Sequence, residues 1–151
     1  LGNVKSVKFD VQEQVKKYGR NIQKSTLEWW KKQGAAAQKQ LQPSDEDISI
    51  AELYDWLTNE FDIPSYKAVW TRGNTFDPIF LRTILESAGD KDPFDQWWAI
   101  RDTRSFIDGM VYGSDIRNTF IPPGLNEKFI AHDPKHDVVM DVMRMQYLAQ
   151  L

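Results

Sequence analysis

Two segments in the middle of the chain each join a short apolar run to a helical pattern. In the first, KAVWT leads into Arg72 and a Gly-Asn turn, after which the stretch from Pro78 to Gly89 has helical spacing. In the second, WWAIRDTRSFIDG, a strand-like run is again followed by a short helix. Strands that alternate with helices are typical of an α/β fold with a mainly parallel sheet. The sequence therefore predicts this fold class.

Two S-x-x-E spacings indicate where helices begin. Ser25 with Glu28, and Ser49 with Glu52, have the pattern of a capping box, in which two side chains satisfy the first backbone N–H groups of a helix. Gly34 is where the first of these helices is expected to stop. The second helix is predicted to have one apolar face, formed by Ile50, Leu53, Leu57 and Phe61.

Other stretches complete the predicted order of elements. SVKFDVQ alternates apolar with polar residues, which predicts a strand near a sheet edge. AAAQKQLQ predicts one or two helical turns before Pro43, and a last helix is predicted from Pro134 to the C-terminus. Trp97 and Trp98 lie on the strand-like run and are expected to pack on opposite faces of it.

Composition narrows the function classes. The chain has 151 residues, which predicts a single domain over residues 1–151. It has no cysteine, which excludes disulfides, thiolate nucleophiles and Cys-ligated metals and suits a cytoplasmic setting. No apolar run reaches membrane-spanning length. Because the net charge is -3, binding to nucleic acid would need a local patch or bridging metal ions.

Both histidines of the chain lie in AHDPKHDVVMD. Asp133 is a natural N-cap and Pro134 suits the first helical position, so His136 and Asp141 are predicted on a helix that His132 precedes. One interpretation is a zinc site through H-x-x-x-H, although Pro134 disturbs the helical geometry that this pair needs. Another is that the segment only caps, packs and meets solvent.

A third interpretation joins this segment to Asp77. That residue follows the strand in WTRGNTFDPIFL and begins a helix, a favourable place for chemistry in an α/β fold. Asp77 and Asp141 supply the oxygen ligands that Mg²⁺ or Mn²⁺ prefers, and His136 is a candidate proton acceptor beside them. This combination suits phosphodiester hydrolysis, provided that folding brings the three side chains into one pocket.

NTFDPIFL and HDVVMD resemble the second and third motifs of the DEDDh 3′-to-5′ exonucleases, the latter through the H-x-x-x-x-D spacing of His136 and Asp141. Five ordered segments from about Val4 onward are similar to the exonuclease A group of T4-like bacteriophages. They are QKSTLEWWKKQG, PSDEDIS, RGNTFD, RDTRSF and FIAHDPKHDVVMD.

The resemblance implies a ribonuclease-H-like fold with a central mixed sheet flanked by helices. It implies removal of nucleotides from nucleic acid 3′ ends, DNA rather than RNA, with two divalent ions, Mg²⁺ or Mn²⁺. Asp77 and Asp141 would be metal ligands and His136 the general base. Asn74, Thr75 and Phe76 of the second motif would contact the substrate.

Two other residues are predicted to bind the substrate. Trp30, adjacent to Trp29 on a helix, is a candidate for stacking on a base, although core packing is the commoner role of tryptophan. Gln33, one turn further on, is a candidate hydrogen-bond partner of the terminal nucleotide.

The first motif of the family, D-x-E on an early strand, does not occur in this chain. Asp10 has Gln12 at the partner position, and a neutral amide is a weaker ligand for a hard cation. We expect the missing carboxylates upstream of Leu1. The alternative is an inactive or split exonuclease scaffold that binds nucleic acid or a partner chain without cleaving alone.

Overall fold

A pair of short parallel strands organises the middle of the chain. In the computed structural model, which describes residues 4–60, 68–89 and 97–151, β1 (Val69–Thr71) pairs with β2 (Ile100–Asp102). Val69 lies opposite Ile100 and Thr71 opposite Asp102. The predicted order of strand, turn and helix is confirmed at both strands. The protein is a mixed α/β structure, and the ribonuclease-H-like central sheet stays a prediction.

Seven α-helices accompany these strands in the described residues. They are α1 (Val11–Lys16), α2 (Lys24–Trp30), α3 (Ala35–Lys39), α4 (Ile50–Asp55), α5 (Asp77–Ser87), α6 (Thr103–Met110) and α7 (Pro134–Leu148). A π-helical turn (Trp56–Glu60) follows α4. None of the described helices is long and apolar enough to cross a membrane.

The strand predicted at SVKFDVQ is wrong. Only Phe9 makes a bridge, to Ile48, and the chain then turns into α1. The reason is Asp10, whose carboxylate accepts a hydrogen bond from the backbone N–H of Gln12 at 2.7 Å and so caps α1. Alternation of apolar and polar residues was a weaker signal than this cap.

The two predicted capping boxes have different outcomes. Ser49 and Glu52 form both reciprocal bonds and begin α4, as predicted. Ser25 lies inside α2, whose N-cap is Gln23 without a side-chain hydrogen bond, so the first box does not form. Helix α2 ends at Trp30, and Gly34 is the N-cap residue of α3 rather than a helix stop. The helical turns predicted in AAAQKQLQ are confirmed as α3.

Two buried clusters hold the helices together. Ile50, Leu53, Leu57 and Leu85 pack between α4 and α5, with Val69 and Ile100 of the strands against them. Phe61, predicted on the same face, lies outside the described residues. The second cluster joins α6 to α7 and consists of Ile107, Val111 and Leu148.

Trp97 and Trp98 lie in a short 3₁₀ turn before β2, so the prediction that both are strand residues is wrong. Trp98 is 58% exposed rather than packed. The strand begins later because its pairing with β1 starts at Ile100. The last helix begins at Pro134 with Asp133 as N-cap, as predicted.

Candidate active site

Arg72 is the residue around which the candidate site is arranged. It follows β1 directly, and its Nη1 donates to Oδ1 of Asp141 on α7 at 2.5 Å. A backbone hydrogen bond from Arg72 reaches the carboxylate of Asp77, and its charge also acts on Asp137. Arg72 therefore connects the end of β1 to three acidic side chains from two helices.

Asp141 lies inside the protein. It is 3% exposed, and its carboxylate accepts hydrogen bonds from Arg72 at 2.5 Å, Thr103 at 2.5 Å and Arg144 at 2.8 Å. Burial acts to raise the pKa of Asp141, but these bonds more than offset it and hold the pKa below its ordinary value. The residue predicted as a metal ligand is thus engaged in a buried ion-pair network.

Asp77 is the first residue of α5, immediately after the turn that follows β1. The residue is exposed as a whole, yet burial of its carboxyl group raises the pKa. The negative charge of Asp102 acts in the same direction, while Arg72 and Arg104 offset part of the shift. Asp77 is therefore a carboxylate whose surroundings disfavour its own charge.

Asp137 lies one helical turn before Asp141 and is half-buried. Burial raises the pKa of Asp137, and the charge of Asp141 adds to the increase. A backbone hydrogen bond and the charge of His132, together with Arg72, act in the opposite direction. Asp77 and Asp137 thus both have a raised pKa, whereas the pKa of Asp141 is lowered.

His132 is exposed and stands just before the N-cap of α7. Its φ of 65° is in the left-handed region, uncommon for a residue other than glycine. The ring lies edge-on to Trp29, with 4.8 Å between the ring centroids, and 6.4 Å from Trp30. The tryptophan predicted to stack on a base is thus close to one of the two histidines.

His136, the predicted general base, is half-buried on the first turns of α7. Its Nδ1 accepts a hydrogen bond from the backbone N–H of Ile130 at 3.3 Å. Because His132 precedes the helix, the two imidazoles do not share a helix face as an H-x-x-x-H zinc site requires. The zinc interpretation has no support from this geometry.

The other predicted substrate contacts lie in two places. Gln33 donates from Nε2 to the backbone carbonyl of Trp29 at 2.9 Å, which holds its side chain against α2. Asn74, Thr75 and Phe76 are exposed in the turn before α5, and the backbone N–H of Asn74 donates to Asp102 at 2.9 Å. This turn adjoins Asp77.

Sequence reasoning gave Asp137 no function, although a signal was present. The H-x-x-x-x-D spacing occurs twice in AHDPKHDVVMD, from His132 to Asp137 and from His136 to Asp141. Only the second was assigned. The first places its histidine outside the helix and its aspartate on the turn before the buried network.

A divalent cation needs a set of side chains able to hold it. Carboxylates such as Asp77 and Asp137 are the hard ligands that Mg²⁺ and Mn²⁺ prefer. Within residues 4–60, 68–89 and 97–151, however, no three His, Asp or Glu side chains gather closely enough to hold a metal ion.

Comparison with known proteins gives two matches. The family described as the 3′-5′ exoribonuclease Rv2179c-like domain matches residues 5–139. The chain is 35% identical over 158 residues to the exodeoxyribonuclease of Enterobacteria phage T4, which covers 93% of this chain and 68% of the phage protein. No solved structure matches significantly. Both matches cover most of this chain. The chain therefore belongs to the Rv2179c-like family of 3′-5′ exonuclease domains and is related to the phage T4 enzyme, which makes it a hydrolase that acts on nucleic acids.

Proposed function

We propose that this protein is a metal-dependent 3′-to-5′ exonuclease that removes nucleoside 5′-monophosphates from DNA with two divalent ions, Mg²⁺ or Mn²⁺, and a histidine general base. The family membership supports exonuclease chemistry. The name of the phage relative supports DNA, whereas the family description names RNA, so both substrates belong in the test. The phage origin of that relative supports action in the cytoplasm of an infected cell.

The observation that carries the proposal is the placement of two acids, Asp77 at the start of α5 and Asp137 near the start of α7, both of which interact with Arg72 at the end of β1. Burial, together with the charge of a neighbouring acid, raises the pKa of Asp77 and of Asp137, and a bound cation would favour the charged form of both. We therefore assign these two residues as metal ligands. The family match also includes Asp137 and ends at residue 139, before Asp141.

His132 is our candidate general base. Its backbone hydrogen-bonds the carboxylate of Asp137, and its exposed ring lies beside the tryptophans that can stack on a base. A neutral imidazole takes a proton from the attacking water while the water oxygen bonds to phosphorus. The P–O3′ bond breaks, the shortened strand keeps a 3′-hydroxyl after protonation by solvent, and a nucleoside 5′-monophosphate leaves. Divalent ions, when bound, supply charge that stabilises the attacking and leaving oxygens.

The sequence-based assignment of His136 and Asp141 is tested against this one by matched variants. The natural full-length protein is mixed with 3′-labelled DNA or RNA oligonucleotides and Mg²⁺ or Mn²⁺, and release of the labelled mononucleotide is measured. We expect Asp137→Asn and Asp77→Asn to abolish cleavage, and His132→Ala to slow it by about 10²- to 10⁴-fold. His136→Ala should retain most of the rate.

If Asp141→Asn and His136→Ala abolish cleavage in folded protein while Asp137→Asn and His132→Ala do not, the sequence-based assignment holds and ours is wrong.

A second function is favoured by the lack of a three-ligand cluster among the described residues: a scaffold that binds nucleic acid without cleaving it. Binding of an oligonucleotide without release of mononucleotides with either ion would support that function.

A further inference from the structure

We propose that Arg72 binds the phosphodiester at the 3′ end of the substrate strand, and that Asp141 is the positioning residue that holds its guanidinium in place. This inference rests on the proposed function, since it assigns a substrate contact within that site.

The first step concerns the two arginines that share Asp141. Arg144 uses all of its nitrogens within the protein: Nε donates to Phe120 O at 2.6 Å, Nη1 to Asp141 at 2.8 Å and Nη2 to Thr119 O at 3.1 Å. Its side chain is 7% exposed. Arg144 is therefore a structural residue.

Arg72 differs in both respects. Of the described residues, only Asp141 accepts a hydrogen bond from its guanidinium, through Nη1. Its side chain is 26% exposed, so it reaches solvent while one nitrogen stays anchored. A guanidinium presents donors in a planar fork that matches two oxygens of a phosphate.

The charge of Arg72 matters because the residues around it are acidic. A phosphodiester that approaches Asp77 and Asp137 meets two acidic side chains, in a protein whose net charge is -3. The backbone of Arg72 hydrogen-bonds Asp77, and the charge of Arg72 acts on Asp137. Arg72 thus adjoins both acids while its side chain reaches solvent, where it can receive an anionic oxygen.

The anchor makes the contact more effective. Asp141 is itself fixed by Thr103 and Arg144, so the arginine that it holds loses little freedom when a phosphate binds. A pre-positioned side chain contributes more to affinity than a flexible surface lysine does.

The test is a double-mutant cycle between the protein and the substrate. Affinity of a fluorescent single-stranded oligonucleotide is measured by anisotropy in EDTA, so that no cleavage occurs. The terminal phosphodiester is then replaced by an uncharged methylphosphonate. We expect this replacement, or Arg72→Met, to weaken binding about tenfold, and the two changes together to have little effect beyond either alone.

Arg117→Met is the matched control, because it removes the same charge from an exposed arginine that has no part in the site. In this variant the methylphosphonate should still weaken binding about tenfold. A methylphosphonate placed at an internal linkage should affect wild type and Arg72→Met equally. Arg72→Lys, which keeps the charge but loses the planar fork, should give an intermediate loss and serves for the cycle if Arg72→Met does not fold.

The inference is overturned if the terminal methylphosphonate weakens binding as much in the Arg72 variant as in wild type. Failure of the proposed function has a different signature, namely no release of mononucleotides by wild type with either metal ion. The two results are independent, because the binding cycle needs no cleavage.

Discussion

Asp137 and Asp141 are the same residue type, one turn apart on α7, in opposite electrostatic surroundings. Asp141 is stabilised by two arginines and Thr103, whereas burial and a neighbouring acid act against the charge of Asp137. We therefore expect Asp141→Asn to lower the free energy of unfolding by about 3 kcal/mol, because it leaves buried arginine charge without its partner.

Asp137→Asn is the control for that change. It removes a charge that the folded state disfavours, so its free energy of unfolding should be within about 0.5 kcal/mol of wild type, or higher. Urea denaturation at pH 7, followed by far-UV circular dichroism, measures both variants. Equal losses would mean that Asp141 has no special structural function.

The lowered pKa of Asp141 also predicts how stability depends on pH. Because its pKa is lower in the folded protein than in the unfolded chain, its contribution is fully present above the unfolded value, near 3.8. The contribution is lost as pH falls through the folded pKa. Stability measured between pH 6 and pH 2 should therefore fall below about pH 4 in wild type, and this component should be missing in Asp141→Asn. An identical pH profile in the variant would contradict the shift.

These two aspartates also explain why the site was only partly predicted. Asp77 could be placed at the end of a strand from sequence alone, since the strand and the helix after it both leave local patterns. Residues four apart on a helix face the same side, so spacing fits Asp137 and Asp141 equally well. Which of the two is buried depends on Arg72 and Thr103, which lie 69 and 38 residues away along the chain.

Helix α4 begins with a complete capping box, and α2 begins without one. Ser49→Ala removes a hydroxyl that accepts from the backbone N–H of Glu52 at 3.2 Å, and should cost about 1 kcal/mol of stability. The matched variant Ser25→Ala changes an exposed position inside α2 and should stay within about 0.5 kcal/mol of wild type. Thermal denaturation of both variants checks this, and equal destabilisation would show that the capping box has no special contribution.

Helices were more predictable than strands because their signals are local. The apolar spacing from Ile50 to Leu57 and the cap at Asp133 depend on neighbours within two turns. A strand needs a partner that may be far away in sequence: β1 pairs with β2 across about 30 residues. SVKFDVQ has the alternation of a strand but finds only the bridge from Phe9 to Ile48, so the local preference of Asp10 for capping prevails.

The two buried clusters and the candidate site are connected through the strand pair. Val69 and Ile100 pack on the cluster between α4 and α5, and β2 leads directly into α6, which contributes to the other cluster. The ion pair between Arg72 and Asp141 links β1 to α7 as well. The acids of the site thus lie on elements that belong to both clusters, and their geometry depends on both being folded.

This arrangement predicts that the chain unfolds as one cooperative unit, which also tests the single domain expected over residues 1–151. Leu85 and Ile107 are each 0% exposed, one in each cluster. Leu85→Ala and Ile107→Ala should each lower the free energy of unfolding by about 2–5 kcal/mol, because each leaves a cavity in a packed core. Tryptophan fluorescence and far-UV circular dichroism should report the same denaturation midpoint in each variant. If the two probes separate in either variant, the clusters unfold independently, and the link through β1, β2 and Asp141 is too weak to couple them.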